Sequence, residues 1–371
     1  MSAVGLKIFC AYRDAPERRA ALAEARGEPE RYRLFGLDEL ADRGAELRHN
    51  LERQGPPPAW AHTAGKALNT VVYRTGGYGG DFASVLASLR TVNAADIVLA
   101  TVDTVGIPLI LLKQARIVRA PIVYIAVGLP ERLEQLQGER SKRLFRRAFR
   151  GVEAILAYSV GEAERIRAWL GPGAPPVHFV SFGVDVDAFR PVPGSATDVD
   201  VISVGADPRR DFDLLLDVAS RHSELSFRIV ASTDRARELG PLPENVAIET
   251  DLPLAQVRDR LAAARVVALP VRDNSYSGAT TVLLQAMAMA KPVVVSRTEA
   301  IAEGYALEDG VNCRLVEPGD VDAFERAIVD VVTGADAAAS LGTRARETVE
   351  RSFSWERYTD ALWEILSGAR P

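Results

Sequence analysis

Residues 275–296 read Ser-Tyr-Ser-Gly-Ala-Thr-Thr-Val-Leu-Leu-Gln-Ala-Met-Ala-Met-Ala-Lys-Pro-Val-Val-Val-Ser. Ser277 and Gly278 form a turn ahead of a helix-spaced apolar run over 279–290, which Lys291 and Pro292 stop before a β-branched strand over 293–296. The first amides of such a helix, at Ala279, Thr280 and Thr281, lack partners within it, and the helix dipole adds partial positive charge. That end takes an anion, and a diphosphate fits it. The alternative is that Ser277 caps the helix and nothing binds.

Three other stretches carry chemistry-bearing residues. Arg74-Thr-Gly-Gly-Tyr-Gly-Gly-Asp81 reads as a loop between a strand at 70–73 and a helix over 82–92. Gly77 and Gly79 either let backbone amides approach a ligand or serve a tight turn, and the spacing is not the dinucleotide pattern G-x-G-x-x-G. Asp103 follows a strand at 97–100, a carboxyl-end position where site residues of parallel sheets sit, or else it caps the next helix. Arg140, Lys142, Arg143, Arg146, Arg147 and Arg150 alternate with Leu144, Phe145 and Phe149; this is a solvated helix face or a surface for anionic lipid.

The elements that must position these residues alternate. Short β-branched runs at 6–10, 70–73, 97–100, 122–126, 154–158 and 178–181, then at 199–204, 226–230, 246–249, 266–269, 293–296 and 312–316, are each followed by a helix-spaced stretch. This is the mark of parallel βαβ units, giving an α/β protein with two doubly wound, Rossmann-like domains. The Pro-, Gly- and Asp-rich segment 183–195 joins them. We expect an N-terminal domain over 1–184, a second over 196–352, and a terminal helix over 353–371 that can cross back to the first. Its Trp355, Tyr358, Leu362, Trp363 and Leu366 recur at helical spacing and predict a packed face. Two such domains can face their strand ends across a cleft.

The whole chain has 371 residues, 47% apolar and 26% charged, with 45 Lys and Arg against 50 Asp and Glu. It can bury a large core, and its net charge of −5 gives no field that would gather nucleic acid. Cys10 and Cys313 alone make neither a disulfide framework nor a zinc quartet, so a reducing, cytoplasmic setting and no metal are expected. No leader peptide and no bilayer-spanning run is expected.

The second half resembles the large family 4 group of retaining glycosyltransferases with the GT-B fold. Gln285-Ala-Met-Ala-Met-Ala-Lys-Pro-Val-Val-Val matches the end of the family's donor-site pattern, two glutamates with seven residues between them followed by Ala-Met-Ala-x-Gly-x-Pro-Val-Val. Val180-Ser-Phe-Gly-Val-Asp-Val-Asp-Ala-Phe-Arg-Pro191, the segment from Ser203 through Gly205 to Leu216, Leu307–Asp320 and Phe353-Ser-Trp-Glu356 follow the family in the same order. The resemblance implies metal-independent transfer of a hexosyl group from a nucleotide-diphosphate sugar, with retention, to a small-molecule, glycan or lipid acceptor. No cofactor is implied beyond the donor, whose nucleotide stays open among UDP, GDP, ADP and dTDP.

Carried over residue by residue, the resemblance places the first glutamate at Ser277 and the second at Gln285, so both carboxylates are missing. Gln285 can still bond ribose hydroxyls. Asp273 and Asn274 are candidates to make up for Ser277 at the sugar. Arg210, with Arg209 beside it, occupies the slot of the family's diphosphate-binding cation; an arginine there grips phosphate oxygens in pairs and stays charged. Thr250 and Leu252 correspond to the segment beside the base. The family's catalytic-side histidine has no counterpart; Glu131 or Arg132 lines the acceptor pocket there, or is a first-turn helix residue. The missing glutamates leave two other readings open: a catalytically silent nucleotide-sugar-binding partner subunit, and an epimerase or phosphorylase on the same fold.

Overall fold

The computed structural model describes residues 5–192, 194, 196–276 and 278–369. Its first sheet holds β1 (Lys7–Ala11), β2 (Glu46–His49), β3 (Ile97–Ala100), β4 (Ile122–Ala126), β5 (Ala154–Ala157) and β6 (Val177–Phe179), in the order β2-β1-β3-β4-β5-β6. The second holds β7 (Val199–Val204), β8 (Phe227–Ala231), β9 (Val246–Thr250), β10 (Ala264–Leu269), β11 (Val293–Ser296) and β12 (Arg314–Val316), in the order β12-β11-β10-β7-β8-β9. Every pairing between these strands is parallel.

The inner strands are mainly apolar because both faces are covered, with charged residues such as Lys7, Asp200 and Arg265 near their starts. All five residues of β4 are buried, and Ile122, Tyr124 and Ala126 enter one core cluster while Val123 and Ile125 alternate away from it. In the second sheet β10 and β11 repeat this, with Val266, Ala268 and Val294 in a core closed by Phe212, Phe324 and Ile328.

Two expectations need correction. Residues 70–73 are not a strand but the end of the helix Ala59–Arg74, with Val71 and Tyr73 about three-fifths exposed. Tertiary packing overrides their β-branched preference: Ala61, Gly65 and Val72 face inward, and Gly65 lies so close to Ala83 that a Cβ would come within 2.9 Å of its amide nitrogen. The second strand is instead Glu46–His49, a half-buried edge strand whose polar residues gave no apolar run. The helix expected over 82–92 is two pieces, Phe82–Ala87 and Leu89–Val92.

Contacts divide the chain into two units, Met1–Val180 with Thr359–Pro371, and Ser181–Tyr358. In the second, Val184 bridges Ser354 and Phe182 packs its ring on Trp355 and Tyr358. In the first, Leu362 and Leu366 are fully buried, and Gly36, at φ 83, lies against Thr359.

Candidate functional site

In the second unit the loop after β7 is tied to the end of β10. The Asp211 amide donates to the Pro270 carbonyl (3.0 Å), the Arg272 amide to that of Arg209 (2.8 Å), and Arg210 bridges Val271. The Arg210 amide closes a turn on the Asp207 carbonyl (3.0 Å). These bonds pull the Arg210 side chain inside, where it is 1% exposed. Its guanidinium lies flat on the main chain at Gly205, where a Cβ would come within 2.2 Å of Nε.

Among the described residues, Nε and Nη1 of Arg210 have no hydrogen-bond partner. Burial pulls its pKa down to about 10, against the attraction of Asp207 and then Tyr276, so it remains charged at neutral pH. An unpaired buried cation is costly, and a bound anion is the natural compensation. Arg209, by contrast, is exposed.

The second wall is the head of the helix Thr280–Ala288, with Ala279 at its N-cap. Gly278 comes so close to Asp207 that a Cβ there would stand 3.1 Å from the carboxylate, and the Tyr276 hydroxyl donates to that same carboxylate (2.9 Å). Asp207 thereby joins the Arg210 loop to the start of the helix. Thr280 and Gln285 are buried and Thr281 is half-buried. Ser277 lies outside the described residues. The helix stops at Ala288, two residues short of the expected end, and Ala290 takes φ 54, the left-handed conformation that favours glycine.

Thr250 and Leu252 stand at the carboxyl end of the edge strand β9, two strands from β7. Between them Asp251, at φ 52, accepts from the amide of Thr233, which fixes this loop to the one after β8. Asp273 accepts from the amide of Glu299 (3.1 Å), whereas the buried Oδ1 of Asn274 has no partner among the described residues. Asp207 and Tyr276 were not read from the sequence; the only signal was an Asp-Pro pair of the kind that opens turns.

In the first unit Asp103 opens the helix Asp103–Gln114 and is 8% exposed. The Tyr124 hydroxyl donates to its Oδ1 (2.6 Å), and Nε of Arg132 is 2.8 Å from its Oδ2. Burial raises its pKa, opposed by Tyr124 and Arg132. Arg132 itself stays half-exposed.

The loop that carries Gly77 and Gly79 joins two helices rather than following a strand. Gly77 meets the Phe145 ring, and a Cβ at Gly79 would fall 1.8 Å from Oδ1 of Asn69. Close packing within the protein therefore requires both glycines.

The basic helix Gly138–Phe149 keeps Phe145 and Phe149 wholly buried. Arg146 donates to the Trp169 carbonyl (3.0 Å) and stacks on that indole, and Arg150 donates to Leu170 (3.1 Å). Arg140, Arg143 and Arg147 remain exposed. Among the described residues no helix is long and apolar enough to cross a membrane, and no cluster of three or more His, Cys, Asp or Glu is placed to hold a metal.

Residues 198–333 match the family of glycosyl transferases group 1. The second unit carries a glycosyl transferases group 1 domain. A relative, the lipopolysaccharide core biosynthesis glycosyltransferase LpsE of Rhizobium meliloti, is 26% identical over 227 residues, covering 59% of this chain. The match spans 65% of that relative, just under two thirds of its length.

Among solved structures, a sucrose-phosphate synthase from Thermosynechococcus elongatus superposes with a TM-score of 0.73 at 16% identity, over 98% of this chain and all of that one. HepE of Anabaena in complex with UDP gives 0.67 at 18% identity, with the same coverage. Both likenesses are in fold, and the fold class is α/β of the GT-B type, with one parallel six-stranded sheet in each unit.

Proposed function

We propose that this chain is a glycosyltransferase whose donor is a nucleoside-diphosphate sugar bound in the second unit. The observation that carries this reading is the buried guanidinium of Arg210, unpartnered at Nε and Nη1 among the described residues and held near the head of the helix Thr280–Ala288 by the loop that Asp207 and Tyr276 anchor. A diphosphate there receives charge-assisted hydrogen bonds from Arg210 and from the helix amides. Gln285 serves the ribose and Thr250 and Leu252 flank the base, with the replacement of a carboxylate by Gln285 costing on the order of 1 kcal/mol.

The chemistry asks for leaving-group stabilisation. The bond from the anomeric carbon to the phosphate oxygen breaks with its electron pair on the diphosphate, whose added charge Arg210 and the amides stabilise. An acceptor hydroxyl oxygen forms the new bond and releases its proton, with retention at the anomeric carbon. The positive charge comes from the protein, so the reading calls on no metal. Burial pushes both Cys10 and Cys313 up to about 12, in keeping with inert thiols in a reducing, cytoplasmic setting.

A second reading, a nucleotide-sugar-binding partner without activity, rests on the absence of a carboxylate at Ser277 and Gln285. A thermal-shift panel of UDP, GDP, ADP and dTDP tests the site. One of them should raise the melting temperature, by about 2.7 kcal/mol of stabilisation at 100 times its dissociation constant, and Arg210→Ala should remove most of that rise. Equal shifts in variant and parent would refute the assignment. Binding without release of nucleoside diphosphate from the sugar donor, whatever acceptor extract is added, would favour the silent partner. Conversion of the donor with no acceptor present would favour the epimerase.

A further inference from the structure

Four strand ends and loops of the first unit converge on Arg132. From behind, the buried carboxylate of Asp103 holds its Nε at 2.8 Å, and Tyr124 in turn fixes Asp103 by a 2.6 Å bond. From the side, the Tyr78 ring lies under the guanidinium, 5.8 Å from Cζ to the ring centre. From below, Glu162, fully buried after β5, accepts from the Leu129 amide (3.0 Å) and so fixes the start of the short helix Leu129–Glu134 that carries Arg132. An arginine held this rigidly and still half-exposed has lost most of its rotamer freedom before any ligand arrives.

What it presents is a set of donors. The outer nitrogens Nη1 and Nη2 of Arg132 have no acceptor among the described residues. The Tyr78 hydroxyl is buried and likewise unpartnered. The amides of Tyr78 and Gly79 take no acceptor within the protein among the described residues either, although those of Thr75, Gly76, Gly77 and Gly80 on both sides of them do. A fixed cation over the Tyr78 ring, with the phenol and two main-chain N–H groups of that same loop available as donors, suits an oxyanion.

We propose that Arg132, the Tyr78 hydroxyl and the Gly79 amide form an oxyanion subsite, and that the acceptor glycosylated by this chain bears a phosphate group seated there. The acceptor half of this statement rests on the glycosyltransferase reading; the subsite does not. Asp103 is its positioning residue, since it touches Arg132 and not the ligand. Lysine in place of Arg132 would keep the charge and lose the planar fork, and a neutral side chain would lose both.

Glycerol 3-phosphate, glycerol and inorganic phosphate are titrated calorimetrically onto the full chain saturated with whichever of UDP, GDP, ADP and dTDP stabilises it, and onto Arg210→Ala without nucleotide, so that the donor site cannot report. Glycerol 3-phosphate should bind in both settings and glycerol in neither. Arg132→Gln should weaken glycerol 3-phosphate at least about tenfold, Arg132→Lys and Tyr78→Phe less, and Asp103→Asn in proportion to how far it frees the guanidinium. Affinity for the stabilising nucleotide should be the same in Arg132→Gln as in the parent, which also shows that the variant is folded.

Equal glycerol 3-phosphate affinity in Arg132→Gln and parent overturns the proposal. So does binding of inorganic phosphate with no binding of the ester, which would make this an adventitious ion site. A parent that binds none of UDP, GDP, ADP and dTDP, with Arg132-dependent phosphate binding intact, would remove the donor assignment and leave the subsite standing.

Discussion

The two units each hold an arginine at the carboxyl end of a parallel sheet, and they hold it in opposite ways. Arg132 is half-exposed and paired with a buried carboxylate, so its charge is compensated whether or not a ligand is present. Arg210 is wholly buried, with Nε and Nη1 unpartnered among the described residues, so its burial weighs against that charge. The first arrangement preserves geometry; the second, on the reading proposed here, holds in reserve an interaction for a bound anion. A site that must hold a multiply charged diphosphate gains from the second. A site that must admit and release varied acceptors gains from the first.

The contrast breaks most directly at Arg210. Holding it with a pKa near 10 instead of 12.5 corresponds to a penalty of about 3 kcal/mol, present at every pH below 10 because the group is charged in both the folded and unfolded chain there. Arg210→Met should therefore raise the urea midpoint of the ligand-free protein while nucleotide stabilisation disappears. A fall in ligand-free stability would show that Arg210 is structural. Slightly smaller is the effect of Gly205→Ala, whose methyl would occupy the place of Nε. It should remove most of the roughly 2.7 kcal/mol of stabilisation by nucleoside diphosphate at 100 times the dissociation constant, seen as a lost thermal shift. A retained shift would mean that the guanidinium need not lie on Gly205.

The first unit is sharpened by Glu162, which burial pushes up to about 8, opposed by the amides of Leu129 and Gly128. The folded chain keeps this proton up to about pH 8, whereas the unfolded chain loses it near 4.5. Stability should then decline as pH rises between those values, by up to about 1.4 kcal/mol per pH unit, and level off above. Glu162→Gln keeps an acceptor for Leu129 and should flatten the decline in urea midpoints measured from pH 5 to 9; an unchanged slope would assign the pH dependence elsewhere. The smallest change expected is at Ala290, which sits at φ 54 where the family pattern has glycine. Ala290→Gly should stabilise by about 1 kcal/mol in the second unit, read as a higher melting temperature; a loss of stability would mean that the side chain's contacts outweigh the backbone strain.

Much of the fold was legible because strands covered on both faces must be apolar along most of their length, as β3 and β4 are throughout and β10 and β11 are apart from Arg265 and Ser296. The edge strand β2 escaped notice because its residues are only half covered, and 70–73 misled because a β-branched run at the end of a helix looks like a strand when its partners are unknown. Arg210 and the head of the helix Thr280–Ala288, which we propose meet the anion in the second unit, were singled out through likeness to a family, residue by residue. Asp207 and Tyr276 were not, because the hydrogen bond that gives them a role spans 69 positions.

Local order along the chain, the alternation of strand and helix and the turn before the helix Thr280–Ala288, was determined by the sequence alone, since periodicity and breakers act over a few residues. Which arginine is buried without a partner and which is clamped to a carboxylate was decided only by tertiary structure. Those outcomes depend on Gly205 lying under Arg210 and on Asp103 reaching Arg132 across 29 positions, and desolvation is set by whatever closes over a side chain, not by its neighbours in sequence.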